Sequence, residues 1–168
     1  LDRPVAEIAD VLGLVGERFS DPGDELRKLA LHKLPAEAAL SPELAKVVLD
    51  GMAKGWTRKA TSWMLTSEFA TSALLDGLVR APHRGDAKSL SGPSVMAVGP
   101  ALCVQISSGS VPGVGVNALI RSLLVKAPTL IKPGAGDTVL TQLFAEALAD
   151  ADTELGAAVA VRYWPGEE

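Results

Sequence analysis

The chain has 168 residues, 48% of them hydrophobic and 21% charged, the balance of a globular protein rather than a disordered one. A net charge of −4 without a basic block argues against nucleic acid as the main partner, and no apolar run is long enough for a membrane span. The single cysteine, Cys103, excludes an internal disulfide framework and fits a reducing, cytoplasmic setting.

Residues 1–10 carry neither a signal-peptide pattern nor an initiator Met, as in a processed chain or an excerpt. The first 80 residues read as helices joined by short breaks. Val5, Ile8, Leu12, Val15 and Phe19 recur at spacings of three and four, one face of a helix that Asp21-Pro22-Gly23-Asp24 stops. A second helix is predicted from Asp24 to about Lys33, burying Leu26, Leu29 and Ala30. Ser41-Pro42-Glu43 supplies a cap, a proline at the first helical position and a carboxylate at the positive dipole end of a third. Its predicted buried face is Leu44, Val47 and Val48. Thr57 and Ser67 are read as caps of two more helices, carrying Trp63 and Leu74, Leu75 and Leu78, with no strand signal in this half. The three tryptophans, Trp56, Trp63 and Trp164, are read as packing residues.

Residues 81–92 are polar and turn-rich, and the periodicity changes after them. Short apolar runs at 94–99 and 101–107, broken at Gly99-Pro100, predict strand, bend, strand. Val116, Leu119, Ile120, Leu123 and Leu124 then share a helical face between Val114 and Lys126. Residues 128–132 read as a buried strand, Asp137 as the cap of a helix to about Ala149, and 156–164 as another strand. This alternation predicts an α/β fold: a helical segment (1–92), then a partial doubly wound parallel sheet (93–168), half of a Rossmann-like cofactor domain.

Between the first of these strands and its helix lies Gly113-Val114-Gly115-Val116-Asn117-Ala118, which matches G-x-G-x-x-A in the strand-to-helix context that gives the pattern weight. Residues without Cβ let the backbone bend sharply towards a phosphate, and the helix N-terminus offers unpaired N–H groups to it. The bland alternative is a tight turn. A site selecting the unphosphorylated ribose has Asp or Glu about twenty residues on, whereas here the next strand ends in Lys132. A cation there suits a 2′-phosphate, and so NADPH; the bland alternative is a solvated lysine. His32 and His83 are unsupported as bases, and no His, Cys, Asp and Glu grouping has metal-ligand spacing.

Residues 106–137, with Leu143–Asp152 and Val159–Gly166, resemble the acyl-CoA reductase family of bacterial luminescence, the lux-type fatty-acyl reductases, a branch of the aldehyde dehydrogenase superfamily. The likeness is strong from about Pro100 to Gly166 and weaker at Leu49–Thr57 and Thr71–Val79. It implies an aldehyde dehydrogenase-like cofactor domain and reduction of an acyl-CoA or acyl-carrier thioester to a fatty aldehyde by NADPH, through an acyl-enzyme on cysteine. Lys132 matches the Lys-Pro lysine that binds the adenosine ribose. Ser110-Val111-Pro112 matches an Asn-x-Pro bend, with Ser110 where the oxyanion-holding Asn is usual. Ser108, Gly109, Pro112, Gly113 and Gly115 complete the expected cofactor-binding set, the two latter glycines open to a packing role instead. Ala135 stands where NAD-preferring relatives often carry Glu. The family's nucleophilic cysteine lies further downstream, and Cys103, inside an apolar strand, reads as inert core. The expectation is therefore the N-terminal part of a larger reductase, whose half-sheet exposes an apolar edge for the remainder of the protein or for a homo-oligomer. A non-catalytic scaffold on the same fold, or part of an ordinary aldehyde or semialdehyde dehydrogenase, are the alternatives.

Overall fold

The computed structural model describes residues 1–69, 71–80 and 92–165. The turn-rich reading of 81–92, all but its last residue, and His83 lie outside the described residues. Four helices come first: α1 (Val5–Arg18), α2 (Glu25–Ala38), α3 (Pro42–Ala53) and α4 (Arg58–Glu68). A 3-10 turn (Ser72–Leu75) leads to a short ribbon of β1 (Val79–Arg80) against β2 (Ser94–Val95). There follow β3 (Cys103–Ile106), α5 (Val114–Leu124), β4 (Thr129–Lys132), α6 (Thr138–Ala151), α7 (Thr153–Ala157) and β5 (Val159–Val161). β3, β4 and β5 form one parallel sheet in that order, the partial doubly wound sheet expected from the alternation.

Caps behave locally as their chemistry dictates. Asp24, Ser41 and Thr57 each accept a backbone N–H from the first turn of α2, α3 and α4. Ser67 instead lies in the last turn of α4, where its hydroxyl donates to the Met64 carbonyl; the cap of the 3-10 turn is Thr71. α2 runs past Lys33 and through Pro35, ending where Ala39 turns left-handed at φ 52°.

The core takes only part of the apolar faces expected of α2 and α3: Ala30 is buried and Leu26 and Val48 are half-buried, but the remaining core positions differ. On α2, Arg27, Ala30 and Leu34 are buried while Leu29 is 40% exposed. Arg27 goes inside because it is satisfied there: it donates to the Phe19 carbonyl at 2.6 Å and to Asp50 at 2.5 Å. On α3 the buried residues are Ala45, Leu49 and Ala53, a narrow face that lets neighbouring helices close in, while Leu44 and Val47 point to solvent. Trp63 and Leu78 are also exposed. The 94–99 strand contracts to Ser94–Val95, and its partner β1 carries no strand signal of its own. The two-residue ribbon is too short for periodicity to show. α7, likewise unexpected, is a single turn capped by Asp152, which accepts from Leu155 N.

The segments 1–92 and 93–168 share one core. Phe19, Trp56 and Phe144 meet there, from the end of α1, the α3–α4 turn and α6. Their ring centroids are 5.4 to 5.9 Å apart, two pairs edge to face and one stacked. The indole N–H of Trp56 donates to Asn117 Oδ1 of α5 at 2.8 Å. Ion pairs Arg3–Asp152 and Lys126–Asp76 join the two segments at the surface.

Candidate functional site

In an open parallel α/β sheet, ligands sit beyond the carboxyl ends of the strands. That edge here is built by three segments: 107–113 after β3, 133–137 after β4 and 162–165 after β5. The first two are locked together. Ser107 N donates to the Lys132 carbonyl at 3.0 Å, extending the ladder by one residue. A Cβ on Gly134 would lie 2.1 Å from Gly109 N and 2.3 Å from Gly109 Cα, so only glycine permits this backbone contact. The rigid pairing brings Ser108, Gly109 and Ser110 beside the Lys-Pro-Gly corner.

Ser108 and Ser110 are exposed, and their hydroxyl oxygens are 2.7 Å apart. Pro112, Gly113 and Gly115 are buried. Gly113 adopts φ 94°, the left-handed turn from which α5 starts.

The N-terminus of α5 is filled from within the chain. Asp137 does not cap its own helix; its carboxylate accepts Gly113 N at 2.5 Å and Gly115 N at 2.6 Å. The amides that a G-x-G-x-x-A turn would offer to phosphate therefore have a fixed anion already. Gly115 has no Cβ because one would lie 2.2 Å from Thr141 Oγ1 and 3.0 Å from Asp137 Oδ2. Burial pushes the Asp137 carboxyl up to about 6, against the downward pull of its two backbone hydrogen bonds, and the nearby charge of Glu37 adds to the rise. Glu37, from α2, caps α6 in its place, accepting from Thr138 Oγ1 and from Val139 N at the start of that helix. Neither role of Asp137 and Glu37 is visible in spacing, because both are long-range; a Gly-Asp pair before a helix signals only a local cap.

Lys132 ends β4 on the sheet face opposite α5 and α6. Thr129 and Ile131 alternate with it and are buried under those helices, while its register partner Ile106 is 74% exposed. Lys132 and the 107–110 turn thus share one edge, but its side chain and the Gly113–Gly115 amides belong to opposite faces. Among the described residues no carboxylate lies within 4 Å of the ammonium. It rests instead 5.7 Å from the ring centroids of both Tyr163 and Trp164. Trp164, read as a packing residue, and Tyr163, given no role, therefore meet at this edge. Cys103 pairs with Thr129 at the far end of β3, three residues and so about 10 Å from the Lys132 level. The described residues hold no group of three or more His, Cys, Asp or Glu side chains fit for a metal, and no helix long and apolar enough to cross a membrane.

The fold is α/β and similar to that of an aldehyde dehydrogenase. A crystal structure of a NAD-dependent benzaldehyde dehydrogenase from Corynebacterium glutamicum superposes with a TM-score of 0.65 at 15% identity, over 98% of this chain and 32% of that one. The chain belongs to the family described as Acyl-CoA reductase (LuxC), which it matches over residues 1–168. Two curated relatives are each named long-chain acyl-protein thioester reductase. That of Aliivibrio fischeri is 23% identical over 165 residues, and that of Photobacterium phosphoreum 25% over 167. These alignments take in 96% and 98% of this chain, which spans about a third of each relative's length, 33% and 32%.

Proposed function

We propose that this chain forms the nucleotide-side part of an enzyme that reduces acyl thioesters to aldehydes with NADPH. The observation that carries the reading is Lys132: a cation without a carboxylate partner among the described residues, at the carboxyl end of the middle strand of a parallel sheet. Family membership narrows the reaction to acyl-thioester reduction. In that reaction a hydride reduces the thioester carbonyl carbon, the carbon–sulfur bond breaks, and the thiol leaves with a proton.

The residues fit the adenosine end of the cofactor better than its pyrophosphate. Lys132 would hold the ribose 2′-phosphate, and Ala135, exposed on the neighbouring corner, leaves no acidic side chain to repel it. Gly113 and Gly115 are assigned to packing, because Asp137 occupies their N–H groups. Ser108 and Gly109 shape the turn that faces the Lys132 corner, and Pro112 anchors it from the buried side. When bound, reduced nicotinamide supplies the hydride. The two hydroxyls are 2.7 Å apart and either can donate to the other; with Ser108 as donor, the Ser110 proton would be free to point outward, to the carbonyl oxygen as it gains charge. Cys103 is assigned to the sheet, at the wrong end of β3 to act as nucleophile.

The test is a fluorescence titration of the natively encoded full-length protein. Lys132→Ala should weaken NADPH binding at least ten-fold, the size of one charge-assisted hydrogen bond to a phosphate, and barely change NADH binding. Equal NADPH affinity in variant and wild type would remove the assignment. Acyl-CoA-dependent loss of NADPH absorbance tests the reaction itself, and turnover with free aldehyde alone would point to an ordinary aldehyde dehydrogenase.

A further inference from the structure

We propose that Tyr163 and Trp164 are positioning residues that aim Lys132 and thereby set the preference for a 2′-phosphorylated nucleotide. The inference rests on the reading of Lys132 given above and adds to it the source of its selectivity. A lysine ammonium is a compact, strongly hydrated charge on a flexible four-carbon stem, so at a strand end it samples many rotamers unless something holds it. Here two aromatic faces hold it from equal distances of 5.7 Å, within the range in which a ring quadrupole attracts a cation.

The rings are not placed by chance of rotamer alone. Arg162 N donates to the Ile131 carbonyl at 2.9 Å, so the segment that carries them is pinned to β4 one residue before Lys132. Pro165 follows and restricts the backbone of Trp164 to extended conformations. Tyr163 is 52% exposed and Trp164 half-buried, which leaves ring surface open at the same edge. Rings also have the right chemistry. A carboxylate in their place would hold the ammonium more strongly but would cancel its charge and repel a phosphate. An aromatic face holds it without neutralising it.

The experiment measures NADPH and NADH dissociation constants for the full-length protein, wild type and the variants Tyr163→Leu, Trp164→Leu, Tyr163→Phe, Trp164→Phe and Lys132→Ala. Each Leu variant should lower the NADPH-to-NADH affinity ratio about two- to five-fold, the size of an exposed cation–π contact. Each Phe variant should keep most of the ratio, because the ring is retained. A merely structural role would lower both affinities together and leave the ratio unchanged, and that result would overturn the proposal. Loss of the ratio in Lys132→Ala with none in the Leu variants would sink the aromatic role and spare Lys132. An unchanged ratio in Lys132→Ala would sink both. Should a Leu variant fail to fold, a Phe variant that loses the ratio as fully as Lys132→Ala would still overturn it, and one that keeps it supports it.

Discussion

Replacing Asp137 by Asn keeps the shape of the side chain and removes its charge. The carboxylate accepts two buried backbone N–H groups, at 2.5 and 2.6 Å, whereas an amide offers one oxygen and turns an NH₂ towards the second donor. Leaving one buried donor unpaired costs about 1–3 kcal/mol. An opposing effect comes from the ionised carboxyl itself, which is costly to bury. Its pKa is about 6 in the folded protein against an ordinary 3.8, a difference equivalent to about 3 kcal/mol once the group is fully ionised. Because the folded value is the higher one, the folded state binds the proton more tightly. The stabilising contribution is complete below about pH 3.8 and is lost as pH rises through 6. Between pH 5 and pH 7.5 the wild-type protein should lose about 1.4 kcal/mol at this site that the Asn variant cannot lose. Urea denaturation at the two pH values reads it directly: the destabilisation caused by Asp137→Asn should be larger at pH 5 by that amount. A difference independent of pH, or larger at pH 7.5, would refute the reasoning.

Gly134→Ala should destabilise the protein by about 1–3 kcal/mol and weaken NADPH binding, because the new Cβ meets the Gly109 backbone and not a side chain that could swing away; unchanged thermal stability would contradict it. Trp56→Phe removes the hydrogen bond to Asn117 and part of the three-ring cluster, for an expected cost of about 2–4 kcal/mol in denaturant melts. Asn117→Ala alone should cost less, and a double-mutant cycle should give a coupling of about 1 kcal/mol between the two. Arg27→Met leaves Asp50 with Lys46 as its remaining partner and the Phe19 carbonyl without its donor, so about 1–3 kcal/mol of stability should be lost, measured in the same way.

The α/β half is legible because its signals are local. Apolar runs, a glycine bend and a 3.6 period fall within a few residues of one another, and β3, α5, β4, α6 and β5 all appear in that order. The helical half misleads wherever size stands in for burial: Val47 loses to Ala45 and Ala53, and Leu29 to Arg27. Such choices depend on which neighbour closes against the helix, which periodicity does not contain. That Lys132 ends a strand is legible, but its place on the sheet face away from the glycine bend and its aromatic setting are not. The rings of Tyr163 and Trp164 reach it from a segment about thirty residues later, through the parallel pairing of β4 with β5. The sequence marks Asp137 as the right kind of residue, a helix cap, for the wrong helix.

That exchange of caps has a consequence for how a nucleotide could be held. A helix N-terminus attracts an anion because its first N–H groups are unpaired and its dipole is positive there. In α5 a carboxylate of the chain itself already satisfies both demands, in a buried position where displacing it would strand a charge. A nucleotide phosphate cannot compete for those amides without expelling Asp137 from Gly113 N and Gly115 N. On the function proposed above, recognition would fall instead to the far face of the same edge, where Lys132 lies 5.7 Å from the two rings. Adenosine 2′,5′-bisphosphate should then retain most of the affinity that this chain's residues contribute to NADPH, while inorganic pyrophosphate should not displace it.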